Sequence, residues 1–323
     1  MNKKVIKMDM YQKREMRKNK KMNEDTKSLP STSINWFPGH MAKTRRQITE
    51  DLKMVDVVVE ILDARIPNSS QNPDIRQITQ NKKKVIVLNK CDLSDKVKTE
   101  KWIEYFNKKG QKIVLADSLT GKGINETTRQ IQKIMEEDMQ KMADKGRIGR
   151  KIRVMIVGIP NVGKSSFINR ISKKTSAEVG NKPGVTKQKQ WIRINDKIEL
   201  LDTPGVLWPK FESQKVAINL AITGTIKDDI LDLVEVAYTL TKFMLENYKE
   251  NLLQRYSLEE KKVDEILQQD QAENENIYEI MQLIGRRRGA ILGGNVDDER
   301  TAKLILDDFR SGKFGNITLE MPL

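Results

Sequence analysis

The sequence predicts an α/β fold: a doubly wound parallel sheet over residues 34–210, followed by a small all-helical domain over residues 211–323. In the first part, short apolar runs alternate with helical or loop stretches, as they do in βα units on a parallel sheet. In the second part, apolar residues recur at i, i+3 and i+4 spacing, which is the period of one helix face. A chain of 323 residues is long enough to build two domains with cores of their own.

Short apolar runs predict six strands in the α/β domain. They lie at residues 56–62, 84–88, 112–115, 153–157, 191–194 and 198–201. Asn195-Asp196 joins the last two runs as a hairpin. Helices are expected at residues 42–53, where Ile48 and Leu52 share one face, and at residues 125–141.

In the second domain, one apolar helix face precedes a well-marked last helix. The face comprises Ile230, Leu233, Val234, Ala237, Leu240 and Met244. Asp297-Asp298-Glu299 is an acidic start, because negative side chains favour a helix N-terminus. Gly312, two residues after Arg310, is the expected stop of that helix.

Positive charge is concentrated in two places. The net charge is +14 with a pI of about 9.5, and residues 1–53 carry 14 Lys and Arg against 6 Asp and Glu. Residues 1–33 have no sustained apolar face, so we expect a disordered basic arm. A second run, at residues 141–153, holds six cations and one acid. Such patches favour a polyanionic partner through counterion release, and the alternative is a solvated tail that keeps the chain soluble.

Cysteine content and hydropathy exclude other classes of protein. Cys91 is the only cysteine, which excludes an intramolecular disulfide framework and fits a reducing compartment. No apolar run approaches the ~20 residues of a membrane span, and Asp56 and Glu60 interrupt the longest. The N-terminus lacks the apolar core of a signal peptide, and Asp9 and Glu15 interrupt a mitochondrial presequence. We expect a cytoplasmic monomer with no membrane partner.

Gly158-Ile159-Pro160-Asn161-Val162-Gly163-Lys164-Ser165 has the pattern of a phosphate-binding loop, and it follows a predicted strand and precedes a predicted helix. Its glycines let the backbone curl, so that successive N–H groups point at phosphate oxygens. Lys164 is expected to reach the β- and γ-phosphates, and the Ser165 hydroxyl to ligate Mg²⁺. The predicted nucleotide contacts of this loop are Asn161, Val162, Gly163, Lys164, Ser165 and Ser166.

Asp202-Thr203-Pro204-Gly205 follows the last predicted strand and has the pattern of an element that senses the γ-phosphate. The Asp202 carboxylate can hold the Mg²⁺ shell, and Gly205 can offer its N–H to the γ-phosphate. Upstream, Thr186 lies in a Pro-Gly-Val-Thr loop and can complete the metal shell when the γ-phosphate is present. Taken alone, each tetrapeptide is an ordinary turn, and only their register with the phosphate loop indicates these roles.

Asn89-Lys90-Cys91-Asp92 follows a predicted strand, so it lies at the strand end where α/β sheets bind ligands. The Asp92 carboxylate can accept hydrogen bonds from N1–H and the 2-amino group of guanine, a donor pair that adenine lacks. Asn89 and Lys90 belong to the same expected site. Ser118 is expected to contact guanine through its backbone N–H. The alternative for this tetrapeptide alone is a capped turn.

The order of these motifs is rotated. In an ordinary GTPase the phosphate loop comes first, whereas here the guanine motif precedes it by about seventy residues. The sequence therefore predicts a circularly permuted P-loop GTPase domain. In this order, the γ-phosphate sensor leads directly into the predicted helical domain, whose position could depend on the nucleotide state.

His40 is the only histidine, within the aromatic turn Asn35-Trp36-Phe37-Pro38-Gly39-His40. A histidine among aromatic residues is commonly structural. Two observations favour a catalytic role: an ordinary pKa of ~6.5 suits the handling of a water near neutral pH, and Val206 stands where many GTPases carry a water-orienting Gln. An apolar side chain cannot orient water, so both interpretations of His40 are open from the residues alone.

Together these motifs resemble the ribosome biogenesis GTPase A family, circularly permuted GTPases of large ribosomal subunit assembly. The resemblance runs from Asn35 to Glu320. Its most specific segments are Asn35-Trp36-Phe37-Pro38-Gly39-His40-Met41-Ala42-Lys43, Asp63-Ala64-Arg65-Ile66-Pro67, Leu220-Ala221-Ile222-Thr223-Gly224 and Asp308-Phe309-Arg310-Ser311-Gly312-Lys313.

The resemblance implies a GTPase that acts in late maturation of the large (50S) ribosomal subunit and is stimulated by the particle. It implies a role in hydrolysis for His40, alongside Lys164, Thr186 and Gly205, and matches Val206 to an apolar residue at the Gln position. It also implies K⁺ as an activator held by Asn161, and contact between the helical domain and rRNA.

Arg286-Arg287-Arg288 is the obvious basic cluster of the helical domain, with a solvated helix end as the alternative. Two rival functions are also open. One is a nucleotide-gated RNA-binding protein in which hydrolysis is incidental. The other is a counterpart that acts on mitochondrial ribosomes, against which the acidic interruptions of the N-terminus argue.

Overall fold

The apolar runs of the first 201 residues form a six-stranded sheet with the strand order β3-β2-β1-β4-β6-β5. The structure is a computed structural model that describes residues 39–173, 191–201, 213–269 and 273–322. The strands are β1 (Val57–Asp63), β2 (Lys83–Asn89), β3 (Lys112–Leu115), β4 (Ile152–Val157), β5 (Trp191–Arg193) and β6 (Ile198–Leu201). Each predicted strand is present, with bounds that differ by at most one residue.

The sheet is parallel except for its edge strand β5, which pairs antiparallel with β6 through the predicted hairpin. Strand β1 pairs with β2 on one side and with β4 on the other. From β1 the chain proceeds outward through β2 to β3, whereas from β4 it proceeds outward in the opposite direction. This reversal between β1 and β4 is a topological switch point, where α/β sheets bind ligands at the carboxyl ends of their strands.

Helices cover both faces of the sheet. They are α1 (Gly39–Leu52), α2 (Pro73–Ile78), α3 (Lys96–Lys108), α4 (Ile124–Asp144) and α5 (Lys164–Lys173). Helix α1 buries Ile48 and Leu52 in one cluster with Met155 of β4. Helix α3 buries Trp102 and Phe106 in a second cluster, with Leu62 of β1 and Ile86 of β2. Both clusters lie on one face of the sheet, because Leu62, Ile86 and Met155 point the same way in the strand register. Side chains of the opposite face, such as Val59 and Val87, are also fully buried, so both faces are covered and the predicted doubly wound arrangement is confirmed.

The chain beyond residue 213 is mainly helical, as predicted. Its helices are α6 (Gln214–Ile222), α7 (Leu233–Asn247), α8 (Lys249–Tyr256), α9 (Glu260–Leu267), α10 (Glu273–Arg287) and α11 (Asp298–Arg310). The predicted acidic start is the N-cap of α11, because the Asp297 side chain accepts from the N–H of Arg300. The helix ends at Arg310, and Gly312 follows with a φ of 75°.

One element of this region is not helical. A hairpin of β7 (Ile291–Leu292) and β8 (Asn295–Val296) lies between α10 and α11. Gly293 and Gly294 form its two-residue turn with φ values of 58° and 82°, because a tight hairpin turn requires the left-handed region. The sequence interpretation of an all-helical domain missed this hairpin. Its expected boundary at residue 210 lies outside the described residues.

After α11 the chain returns to the α/β sheet side of the molecule. We call residues 311–320 the C-terminal segment. Its Ile317 N–H donates to the carbonyl of Leu93 at 3.0 Å, and its Leu319 N–H donates to the carbonyl of Arg65 at 2.9 Å. The described residues from Gly39 onward belong to one compact unit, and none of their helices is long and apolar enough to cross a membrane.

Candidate guanine nucleotide site

The predicted phosphate loop joins β4 to α5 at the switch point of the sheet. Asn161 and Gly163 take left-handed conformations, with φ values of 61° and 87°, so the backbone curls before the first turn of α5. Gly158 lies against β1, where an added Cβ would be 2.7 Å from the carbonyl oxygen of Ile61. A larger residue at position 158 would push the loop away from the sheet.

Asn89, the last residue of β2, holds two loops together. Its side chain is 1% exposed, and its Nδ2 donates to the carbonyl of Val162 at 2.7 Å. Its Oδ1 accepts from both the N–H and the hydroxyl of Ser118, at 3.1 and 2.7 Å. The Ser118 N–H, which we predicted to contact guanine, therefore donates to Asn89 in the structure. Through that contact Ser118 lies at the edge of the site.

Lys90 makes a second link between the guanine motif and the phosphate loop. It has a φ of 57°, and its Nζ donates to the carbonyl of Asn161 at 2.6 Å. The same ammonium forms an ion pair with Asp63 at 2.9 Å. Asn89 and Lys90 thus fix the phosphate loop against the end of β2, in addition to any contact that they make with a nucleotide.

Asp63 is a buried carboxylate at the end of β1, directly beneath these loops. Arg65 holds it through two hydrogen bonds, from Nε at 3.0 Å and from a terminal guanidinium nitrogen at 2.9 Å. Burial alone would raise the pKa of Asp63, but the charges and hydrogen bonds of Arg65 and Lys90 hold that pKa well below its ordinary value of 3.8. Asp63 is therefore ionised at neutral pH and balances Lys90.

From the sequence alone we did not predict that Asp63 would hold Lys90 of the guanine motif. There, Asp63-Ala64-Arg65 counted only as part of the family resemblance. The available signal was its position. An Asp directly after a buried parallel strand lies at the edge where ligands bind, and an Arg two residues later can partner it.

Asp92 is exposed, and its carboxylate has no hydrogen bond or ion pair with any of the residues that the structure describes. The backbone beside it is fixed, since the Cys91 N–H donates to the carbonyl of Ala116 at 3.1 Å. A carboxylate on a fixed backbone and open to solvent has the chemistry to accept the paired donors of guanine.

Helix α5 begins at Lys164, so the first backbone N–H groups of a helix face the phosphate side of the loop. A helix N-terminus favours anions through its unpaired N–H groups and its dipole. Lys164 is half-buried, and Ser165 and Ser166 are exposed. The three side chains predicted to contact phosphate and Mg²⁺ therefore share one helix start.

The Asn161 side chain, predicted to hold K⁺, donates its amide to the carbonyl of Gly224 in the helical region. That carbonyl lies two residues beyond α6, at a glycine with a φ of 72°. The end of α6 is itself held by Arg310, which donates to the carbonyls of Ile222 and Ala221 at 3.1 and 2.9 Å. The phosphate loop is thus in direct contact with the helical region.

Several residues of the predicted catalytic centre lie where their side chains are not described. Thr186, Asp202 and Gly205 lie outside the described residues, as does Val206. His40 falls in the first turn of α1, but its side chain is not described. Within the described ranges no group of three or more His, Cys, Asp and Glu side chains could hold a metal. The assignments of these residues to Mg²⁺, the γ-phosphate and water stay predictions.

The predicted basic cluster lies at the end of α10. Arg286, Arg287 and Arg288 are all exposed, and a guanidinium nitrogen of Arg287 donates to the carbonyl of Ser257 at 3.1 Å. The hairpin that follows exposes Ile291 and Leu292, the latter by 73%. Cationic and apolar side chains therefore share this edge of the helical region.

Comparison with known proteins identifies the family. Residues 153–278 match the family described as 50S ribosome-binding GTPase. The match begins in β4, before the phosphate loop, and leaves the guanine motif upstream, as the rotated order requires. A ribosome biogenesis GTPase A from Bacillus cereus is 46% identical over 90% of this chain and 94% of that protein. The chain belongs to the ribosome biogenesis GTPase A family.

Further relatives agree with that assignment. A ribosome biogenesis GTPase A from Thermotoga maritima is 30% identical over 90% of the chain and 95% of its own length. A mitochondrial ribosome-associated GTPase 1 from Mus musculus is 32% identical over 88% of the chain and 89% of its own length.

Solved structures of the same family share this fold. The crystal structure of GNP-bound YlqF from T. maritima matches with a TM-score of 0.58 at 26% identity, over 87% of this chain and 98% of that one. A GDP-bound YlqF structure matches equally well, over 86% and 99%. These matches confirm the circularly permuted P-loop fold. As a member of the ribosome biogenesis GTPase A family, the protein is a GTPase that binds guanine nucleotides.

Proposed function

We propose that this GTPase is an assembly factor for the large ribosomal subunit that acts in late 50S maturation. It binds the precursor particle and its rRNA in the GTP state and leaves after hydrolysis. The observation that carries the proposal is the contact of the phosphate loop with the helical region, from Asn161 to Gly224. The names of the relatives support the ribosomal partner.

In this proposal the γ-phosphate is cleaved by an in-line water, giving GDP and phosphate. Lys164 and the first N–H groups of α5 neutralise the charge that develops on the phosphates. Ser165, Thr186 and Asp202 hold Mg²⁺, and Gly205 donates its N–H to the γ-phosphate. His40 aligns the attacking water, because Val206 has no polar group to do so. K⁺ beside Asn161 would add positive charge at the same phosphates.

Loss of the γ-phosphate releases the loops that carry Thr186 and Gly205, as in other nucleotide switches. Because the second of these loops precedes α6 along the chain, its release acts directly on the helical region. The exposed cluster Arg286-Arg287-Arg288 supplies charge for rRNA phosphates. Basic residues 1–33 add either nonspecific RNA affinity or nothing to this binding.

The test is GTP turnover with and without purified large subunits, in K⁺ and in Na⁺, for wild type and His40→Ala. We expect turnover to rise with the subunit, to be faster in K⁺, and to lose most of the stimulation in His40→Ala. General acid–base assistance typically contributes about 100-fold or more, so the loss should be easy to measure. Equal and slow turnover in every condition would contradict the assembly-factor mechanism and favour a nucleotide-gated RNA-binding protein.

A further inference from the structure

The guanine motif lies under the C-terminal segment, and this contact has a functional consequence. We propose that Asn316 is a positioning residue for guanine: it fixes the backbone that carries Asp92, so that the C-terminal segment forms part of the base site. The inference rests on the proposed role of Asp92 as the reader of guanine. It assigns a part in base selectivity to Asn316, which lies 224 positions from Asp92 in the sequence.

Asn316 and its neighbour bind three consecutive carbonyls of the loop after β2. Asn316 Nδ2 donates to the carbonyl of Asp92 at 2.6 Å and to that of Ser94 at 3.0 Å. Between them, the carbonyl of Leu93 accepts from the N–H of Ile317 at 3.0 Å. Three consecutive peptide units, beginning with the one that follows Asp92, are therefore tied to one short piece of the C-terminal segment.

Thr318 extends the same pairing by one residue. Its hydroxyl accepts from the N–H of Asp95 at 3.0 Å, and Asp95 in turn caps α3 by accepting from the N–H of Lys98 at 3.1 Å. The Tyr248 hydroxyl lies 2.9 Å from the Asp95 carboxylate as a donor. The loop from Asp92 to Asp95 is thus held at every residue.

The loop has few contacts of its own that could replace these. Within it, the Leu93 N–H donates to the carbonyl of Lys90 at 3.0 Å, and the Ser94 hydroxyl donates to the carbonyl of Cys91 at 3.2 Å. The Leu93 N–H shares a planar peptide unit with the carbonyl of Asp92, so the bond to Lys90 and the bond from Asn316 hold that unit from its two ends. Without Asn316, the bond from Leu93 alone would hold it. A bidentate contact to guanine needs both carboxylate oxygens of Asp92 in the plane of the base. The orientation of the backbone at Asp92 therefore decides whether the contact forms.

The C-terminal segment can impose this orientation because it is anchored on both sides of Asn316. On one side, Asn251 Nδ2 donates to the carbonyl of Phe314 at 2.8 Å. On the other, the buried Glu320 carboxylate accepts from the Ser69 hydroxyl at 2.6 Å and from Asn219 Nδ2 at 3.1 Å. Asn316 itself is exposed, so replacing it leaves the core of the segment intact.

The test compares GDP with IDP, which lacks the 2-amino group that Asp92 would bind, in competition against a fluorescent guanine nucleotide. For full-length Asn316→Ala we expect GDP affinity to fall about tenfold, the loss of two neutral hydrogen bonds. The affinity for IDP should fall less, so that the GDP-to-IDP preference moves toward one. Asn316→Asp, which replaces the donor with a charge facing two carbonyls, should show a larger change in the same direction.

Asn247→Ala is the matched control, because the exposed Asn247 amide donates to the carbonyl of Phe243 within α7 and this contact involves neither the C-terminal segment nor the loop of Asp92. It should keep the wild-type preference. An equal loss of GDP and IDP affinity in Asn316→Ala, or no loss at all, would overturn the inference. Asp92→Asn separates the two hypotheses, since a switch toward xanthosine nucleotides supports the base-reading role whatever Asn316 does. If Asp92→Asn keeps the preference for guanine, the assignment of the base site fails and the inference fails with it.

Discussion

Asn89 and Lys90 show how a nucleotide motif also organises the protein around it. Both are predicted to bind nucleotide, and both make their described contacts with protein: Asn89 with Val162 and Ser118, and Lys90 with Asn161 and Asp63. The carboxylate of Asp92, in contrast, makes no such contact among the described residues. In this motif, Asn89 and Lys90 hold the surrounding loops in place, whereas Asp92 is free to bind the base.

The first prediction follows from the buried amide of Asn89. Asn89→Ala should lower the free energy of unfolding by about 1–3 kcal/mol, because it leaves buried polar groups of Val162 and Ser118 without partners. It should also weaken GDP and GTP alike, since the phosphate loop loses an anchor. Urea unfolding and calorimetric titration of both nucleotides would measure these effects.

Asn247→Ala is the control for that variant, because the Asn247 amide donates to the carbonyl of Phe243 at the exposed end of its own helix, α7. We expect it to stay within about 0.5 kcal/mol of wild type. If the two variants bind GDP equally well, then Asn89 does not support the phosphate loop.

At the scale of elements, α11 and the end of α6 form a connection between the helical region and the phosphate loop. Arg310 of α11 pairs with Asp228 through both carboxylate oxygens, at 2.8 and 2.9 Å, and also holds the last carbonyls of α6. Two residues beyond α6, the carbonyl of Gly224 accepts from Asn161. A single turn of backbone therefore separates the contacts of α11 from the contact with the phosphate loop.

The second prediction concerns this connection. Arg310→Ala should destabilise the fold by about 1–3 kcal/mol, because charged hydrogen bonds to two carbonyls and to Asp228 are lost. It should also weaken GDP binding, although Arg310 is not expected to touch the nucleotide. Arg300→Ala, an exposed arginine in the first turn of the same helix, should change neither quantity. Wild-type GDP affinity in a folded Arg310→Ala protein would show that the connection is only structural.

Periodicity and capping residues were enough to predict most elements. Strand β3 has the predicted bounds, and Asp297 caps α11 as expected. Helix α4 runs three residues beyond its predicted end and stops before Gly146, which has a φ of 79°. Local sequence missed the β7–β8 hairpin, because strands of two residues carry no periodic signal.

The site was predictable only in part, because sequence patterns show local motifs and do not show contacts between distant residues. The phosphate loop and the guanine motif are local patterns, and their meeting follows from the adjacency of β2, β1 and β4. The contacts of Asn316 and Arg310 join residues that are far apart in sequence. No spacing rule reaches across such separations, so only the folded chain reveals them.

At the scale of the whole molecule, ion pairs link distant parts of the chain. Asp63 pairs with Arg65 and Lys90, while Asp308 pairs with Arg255 at 2.9 Å and with Lys313 at 3.1 Å. Burial tends to raise the pKa of Asp308, yet hydrogen bonds from its two cations hold that pKa below its ordinary value. The hydrogen bonds from Arg310 lower the pKa of Asp228 in the same way.

The third prediction is a loss of stability in acid. Because the folded pKa of each of these aspartates lies below its ordinary value of 3.8, their contribution to stability is complete above 3.8 and is lost as pH falls from there through the folded pKa. The buried Glu320 acts in the opposite sense: burial raises its pKa above 4.5, so its ionisation removes stability as pH rises from there. Urea unfolding from pH 3 to pH 7 should therefore show a steep fall at the acid end.

Asp63→Asn provides the control for the acid transition. Its unfolding free energy should be lower at neutral pH and should depend less on pH below about 4. A wild-type pH profile in that variant would show that Asp63 is not part of the acid transition.

The strand order divides the sheet into two halves, each contiguous in sequence. Residues 57–115 form β1, β2 and β3, residues 152–201 form β4, β5 and β6, and within the sheet the halves meet at the β1–β4 pair, over four residues. Every other strand pair of the sheet therefore joins two strands of the same half. The guanine motif belongs to the first half and the phosphate loop to the second. A nucleotide bound to both motifs would then be a non-covalent cross-link between the two halves, and it would stabilise the sheet against their separation.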